Sequence, residues 1–350
     1  MHAGMVRPKP LLSRLKHRAS ELLRRRRFAS ALEHVHGGGF SVPQGEVLAI
    51  VLVRDGSYYL DAFLDYYRSL GISYFAFIDN GSTDDTIARI RREQGCVIDR
   101  AILPLGQYED LMRGYPAQTY GKNRWCLYVD MDEQFDFFGR STHGLRALLS
   151  YLVSRGETAL MAQMLEMFPD VPLAAVQDLT FAQALEAFRY YDISAVDSFP
   201  YHSVQIPFSA MLRANTLASA ALEFKFGGVR GRVFGETCCL TKHPLVFNGP
   251  PVVPAPHPHL SSNIAVSDMS AVIRHYKFAG NIAARDAASA QSGALAHGED
   301  RARLEVLRTQ AQVSLHSPQA REWAGVGPLE DAGFLVKSNS YKAFLNAQTA

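Results

Sequence analysis

From residue 47 the chain alternates short, wholly apolar runs with longer stretches whose apolar residues recur every three or four positions. VLAIVLV (47–53) is β-branched and lacks any polar residue, the pattern of a strand covered on both faces. In DAFLDYYRSLG, Phe63, Tyr67 and Leu70 stand at helical spacing, and Gly71 is placed to close the helix. YFAFI (74–78) predicts a second strand. In DNGSTDDTIARIRREQG, Ser82 followed three residues later by Asp85 predicts a capped helix that Gly95 ends. CVIDRAIL and WCLYVD predict a third and a fourth strand. Strands alternating with helices at this spacing predict an α/β fold, a mostly parallel sheet with helices on both faces.

The flanks differ. Residues 1–44 read as a basic arm and linker, 45–284 as the main domain and 285–350 as a helical C-terminal extension in which Leu304 and Leu307 suggest helices that pack against the main domain. Nine Lys and Arg against Glu21 and Glu33 give the first 40 residues +7, so the rest carries −5 of the net +2. Leucines between the basic residues of LLSRLKHRASELLRRRRFASALEHV predict an amphipathic helix with a cationic face. Residues 7–27 would either touch an anionic membrane or form a solvated arm that packs on its own domain or stays disordered. HGGGF and Pro43 suggest a linker, with folded structure beginning near Glu46. No recognised binding module follows the basic run, which argues against nucleic acid, and no apolar h-region follows it, which argues against a secretory signal.

Composition adds a few limits. At 47% hydrophobic and 20% charged, 350 residues bury one large core or two smaller ones. Cys96, Cys126, Cys238 and Cys239 show no metal-type spacing and suggest a reducing compartment. No apolar run nears the roughly 20 residues of a membrane span. The expectation is a cytoplasmic protein, peripheral at most to the inner face of the membrane.

The candidate chemistry gathers at the carboxyl ends of the predicted strands, where ligands bind in such sheets. Arg54-Asp55 follows the first, Asp79-Asn80-Gly81-Ser82 the second, and Asp130-Met131-Asp132-Glu133 the fourth. Alternation along an extended strand puts Trp125, Leu127, Val129 and Met131 on one face and Asp130 and Asp132 on the other, about 7 Å apart. Paired carboxylates at one edge call for a cation, and a divalent ion is one answer.

With DNGSTDDT and WCLYVDMDE in this order, the chain resembles a bacterial glycosyltransferase of the family 2 type, from about Val47 to about Ala284. GGVRGRVFG, TKHPLV, PHPHLSS and IRHYKFAG extend the resemblance. It implies a GT-A fold, a UDP- or GDP-sugar donor, bound Mn²⁺ or Mg²⁺, inversion at the anomeric carbon, and a glycan, lipid-linked or protein acceptor. It implies that Asp79 reads the nucleobase, that Asp130 meets ribose or metal, and that Asp132 meets the metal. Arg54 and Asn80 fall in the same nucleotide-binding segments. Arg54-Asp55-Gly56 departs from the family's Arg-Asn-Glu.

A sugar nucleotide leaves as a diphosphate, whose charge a carboxylate-held cation neutralises. Arg230, Arg232 and Lys242 would add positive charge, or pair instead with Glu236 or Glu223. His259 and His275 are candidates to complete the metal shell, since imidazole suits Mn²⁺. Asp170 and Glu166, in LMAQMLEMFPDVPL, are candidates for the base that takes the acceptor's proton. The alternatives are a nucleotidyltransferase, for which a Gly-rich triphosphate loop is missing, and a non-catalytic carbohydrate-binding protein. A G-x-G-x-x-G for NAD does not follow the first strand.

Overall fold

A computed structural model describes residues 11–292, 299–310 and 312–349. At its centre lies a mainly parallel ten-stranded sheet. Its first seven strands in chain order, one of them off the main path, are β1 (Leu32–His36), β2 (Val47–Val53), β3 (Tyr74–Asp79), β4 (Cys96–Ala101), β5 (Trp125–Tyr128), β6 (Glu133–Asp136) and β7 (Ala159–Glu166). β4, β3, β2 and β5 are parallel neighbours in that order. The strand Thr241–Phe247 runs antiparallel between β5 and β7, and Ala265–His275 pairs parallel with β7 and antiparallel with β6.

β2 shows why its sequence has no polar position. Val47, Ala49, Val51 and Val53 enter one core cluster, while Leu48 and Ile50 enter another across the sheet. Each such fully buried aliphatic side chain contributes about 1.5–3 kcal/mol relative to exposure. Of the helices α1 (Leu11–Ala31), α2 (Leu60–Ser69), α3 (Thr86–Ile90), α4 (Leu105–Thr119) and α5 (Arg140–Ser154), α2, α3 and α5 cover the Val47 face. Tyr67 of α2 donates its hydroxyl to the Glu133 carbonyl at 2.9 Å and accepts the Phe135 N–H at 3.2 Å, which fixes β6 against the helix. Gly71 ends α2 at φ 90°, as its position predicts.

Two expectations need correction. Regular structure starts well before Glu46. α1 docks on α4, with Phe28 buried against Tyr108 and Met112 and Arg24 bonded to Asp110 at 2.7 Å, and β1 extends the sheet beside β4. The HGGGF stretch is not a free linker at its start, since a Cβ on Gly37 would lie 2.9 Å from the Cys96 carbonyl. Of residues 7–27, positions 7–10 lie outside the described residues.

Ser82 does not cap α3. The helix begins four residues later, at Thr86, because the Ser82 hydroxyl is spent on the Asp55 N–H at 3.0 Å. The C-terminal segment packs on the main domain, as its sequence suggests. Val313, Leu315, Leu329 and Phe334 share a core cluster with Leu165 and Phe168, and the Tyr341 ring packs tilted against Tyr151 of α5, centroids 4.9 Å apart. No helix among the described residues is long and apolar enough to cross a membrane.

Candidate functional site

The site is assembled by lateral register at the carboxyl rim of the sheet. Glu133 of β6 lies opposite His275, and His275 lies opposite Glu166 of β7. Neighbours in register point the same way, so the topology brings together three residues far apart in the chain. The His275 Nδ1 lies 2.8 Å from Glu166 Oε1, and its Nε2 lies 3.3 Å from Asp132 Oδ2. Burial pushes His275 down, but the carboxylates of Glu166 and Asp132 prevail and raise it to about 9. It is therefore a cation at neutral pH that bridges the two acids.

Asp130 and Asp132 leave the strand before they act. β5 ends at Tyr128 and the pair sits in a turn closed by the Glu133 N–H on the Asp130 carbonyl at 3.1 Å. The apolar half of the expected alternation survives, with Trp125, Leu127, Val129 and Met131 all in one core cluster. The carboxylates, however, diverge. Asp130 accepts from Arg113 of α4 at 2.8 Å and from Lys242 at 3.2 Å, whereas Asp132 faces His275. Burial would raise both acids, but Arg113 and Lys242 hold Asp130 well below the usual carboxylate range, and His275 and Lys277 do the same for Asp132.

Lys242 is buried and also pairs with Glu133, which is 1% exposed. Burial raises Glu133 above its ordinary range, and Lys242 opposes this. Lys242 is thus committed to the protein's own acids rather than standing open to a phosphate. Arg230 is likewise buried, bonded to Glu236 and 3.6 Å from Glu166. Arg232 lies 3.5 Å from Asp192. The pairing foreseen for Arg230 with Glu236 is present, though in the interior rather than at the surface.

The nucleotide-binding candidates are also engaged. Asp79 is fully buried; one oxygen takes the Ser82 N–H at 2.8 Å and the other the Arg100 guanidinium at 2.7 Å. This is the turn-capping arrangement, with no oxygen left facing solvent. Asn80 donates to the carbonyls of Ala101 and Leu103, tying the end of β3 to the end of β4. Arg54 is exposed and 3.9 Å from Asp55. At Gly56 a Cβ would lie 2.4 Å from the sulfur of Met131 and 2.8 Å from a methyl of Val53, so a larger residue there would need both side chains to shift.

Glu166 is 5% exposed, and its Oε2 has no partner. Burial raises its carboxyl, but His275 and Arg230 hold it below the ordinary range. Asp170, four residues on, is exposed in the loop after β7. The half-buried His259 donates Nδ1–H to the Thr241 carbonyl at 2.9 Å. Burial and the neighbouring Lys242 keep it neutral, well below the usual histidine range. Among the described residues no group of three or more His, Cys, Asp or Glu sits at metal-ligating spacing.

Two residues escaped the sequence reading. Arg113 belongs to α4, a helix whose i, i+4 pair Glu109–Arg113 was its visible signal. Lys277 lies two residues beyond His275; burial pulls its ammonium down, Asp132 opposes this, and Arg230, Arg303 and Arg285 add to it. The chain matches no family model and no curated protein.

Proposed function

We propose that the chain is an inverting glycosyltransferase of GT-A architecture. It would move a sugar from a UDP- or GDP-sugar to a glycan, lipid-linked or protein acceptor with the help of Mn²⁺ or Mg²⁺. The observation that carries the proposal is the row Asp132–His275–Glu166 at the carboxyl rim of the sheet, joined by an ion pair at 3.3 Å and a hydrogen bond at 2.8 Å. A histidine whose outer nitrogen faces a carboxylate while a second carboxylate fixes its other nitrogen is the arrangement that orients metal ligands. The DNGSTDDT and WCLYVDMDE segments lie at that same rim.

Asp132 and His275 are the residues that would hold a divalent ion, His275 by releasing its Nε2 proton as the ion takes the place between the two side chains while Glu166 keeps Nδ1–H oriented. A hard cation that keeps waters and substrate phosphates in its shell needs few protein ligands, so two suffice. The ion, when bound, supplies Lewis-acid neutralisation of the leaving diphosphate. Asp130 serves differently: tied to Arg113 and Lys242, it holds the turn that presents Asp132. Glu166 fixes the imidazole rather than taking a proton, since its lowered affinity for protons makes it a weak base. Asp170 is the residue exposed enough to accept a proton from an acceptor hydroxyl.

Incubation of the full chain with a panel of UDP- and GDP-sugars and Mn²⁺, with detection of released UDP or GDP, tests the assignment. Slow release from one donor, dependent on metal, is expected. Neither release nor metal-dependent donor binding across the panel overturns it.

A further inference from the structure

α1 carries a surface that the catalytic proposal leaves unused. On one side Glu21, Arg24 and Phe28, spaced three and four residues apart, face α4. Phe28 is buried there, and Arg24 bonds Asp110 and the Gln107 carbonyl, both at 2.7 Å. At 3.6 residues per turn, Ala19, Leu22, Leu23 and Arg26 fall on the opposite side. Leu22 is 52% exposed and Leu23 64% exposed, and Lys16, Arg18, Arg25, Arg26 and Arg27 stand exposed around them. Glu21 is the only acid of the helix, and its carboxylate is turned to Arg24 and Arg25 at 2.8 and 2.9 Å.

We infer that this outward face docks on an anionic lipid surface. Docking on the domain and binding lipid were alternatives at the level of sequence; the structure lets one helix do both, because each uses a different side. Adjacent exposed leucines ringed by arginines match a bilayer interface, which takes apolar side chains below the headgroups and cations at the phosphates. Nucleic acid would use the arginines and have no use for the leucines.

Flotation of the full chain with vesicles of phosphatidylcholine alone, and with about 30% phosphatidylserine added, tests this. Binding to the anionic vesicles only is expected, weakening as salt is raised. Leu22→Ser/Leu23→Ser should lower partitioning roughly tenfold or more, and Arg26→Ser/Arg27→Ser roughly thirtyfold. All four side chains are exposed, so the variants should melt with the parent, and any nucleotide release should persist in free solution. Failure to float, equal binding to neutral vesicles, or binding indifferent to the leucine substitutions would each overturn the inference. The last outcome, with RNA competing for the same face, would mark a nucleic-acid surface.

Discussion

Lys242→Met attacks the most heavily committed cation of the site. Lys242 Nζ lies 3.2 Å from Asp130 Oδ2 and closer still to Glu133. At an effective dielectric near 20, a unit pair 3.2 Å apart interacts by roughly 5 kcal/mol before desolvation is subtracted. After the substitution Asp130 keeps Arg113 at 2.8 Å, but Glu133 keeps only the Asp130 N–H, at 3.1 Å. The cost therefore falls on a buried, uncompensated carboxylate, and about 3–5 kcal/mol is the usual magnitude. Its pH dependence follows. A carboxyl whose folded pKa is raised takes up protons on folding, so the penalty grows as pH rises above about 4.3 and levels off above the folded value. Urea denaturation of parent and variant at pH 5 and pH 8 measures it, and the gap should be wider at pH 8. Adding Glu133→Gln should recover much of the loss, since an amide needs no counter-charge. A single-variant loss under about 1 kcal/mol that does not change with pH, or a double variant no better than the single, would refute the buried-pair reasoning.

Three further outcomes follow from the same geometry. Asp132→Asn should abolish metal-dependent nucleotide release and, because it also removes a partner of the buried His275, should lower unfolding free energy by about 1–3 kcal/mol while leaving the chain folded; full turnover would remove the metal assignment. Asp170→Asn should cut kcat by about 10²–10⁴ with donor affinity unchanged in a titration, and unaltered turnover would point to another base. His275, raised to about 9 by Glu166 and Asp132, contributes stability that is complete below its unfolded pKa of about 6.5 and is lost as pH rises through 9. The stability gap between the parent and His275→Gln should therefore shrink from pH 6 to pH 10, and a gap that widens would contradict the ion-pair assignment.

The strand and helix pattern was legible because it depends on local chemistry. A run such as VLAIVLV is apolar for a reason that can be read residue by residue, and both faces of β2 are buried. The same holds for Gly71 closing α2 and for the four apolar residues 125, 127, 129 and 131. α4 and Arg113 were missed because LGQYEDLMRGYPAQT carries an internal proline and no clean apolar stripe.

What the sequence by itself determined is which residue types stand at the rim of the sheet: two aspartates, a glutamate, a histidine and several cations. Only the tertiary structure decided who answers whom. Ion pairing depends on distances of about 3 Å between side chains far apart in the chain, 112 positions in the case of Asp130 and Lys242, and spacing along a chain says nothing about such approaches. Cross-strand register put His275 between Glu133 and Glu166, and helix docking put Arg113 on Asp130. The paired acids were therefore split, one to the protein's own cations and the other to a histidine, because Coulomb energy follows separation in space and not order in the chain.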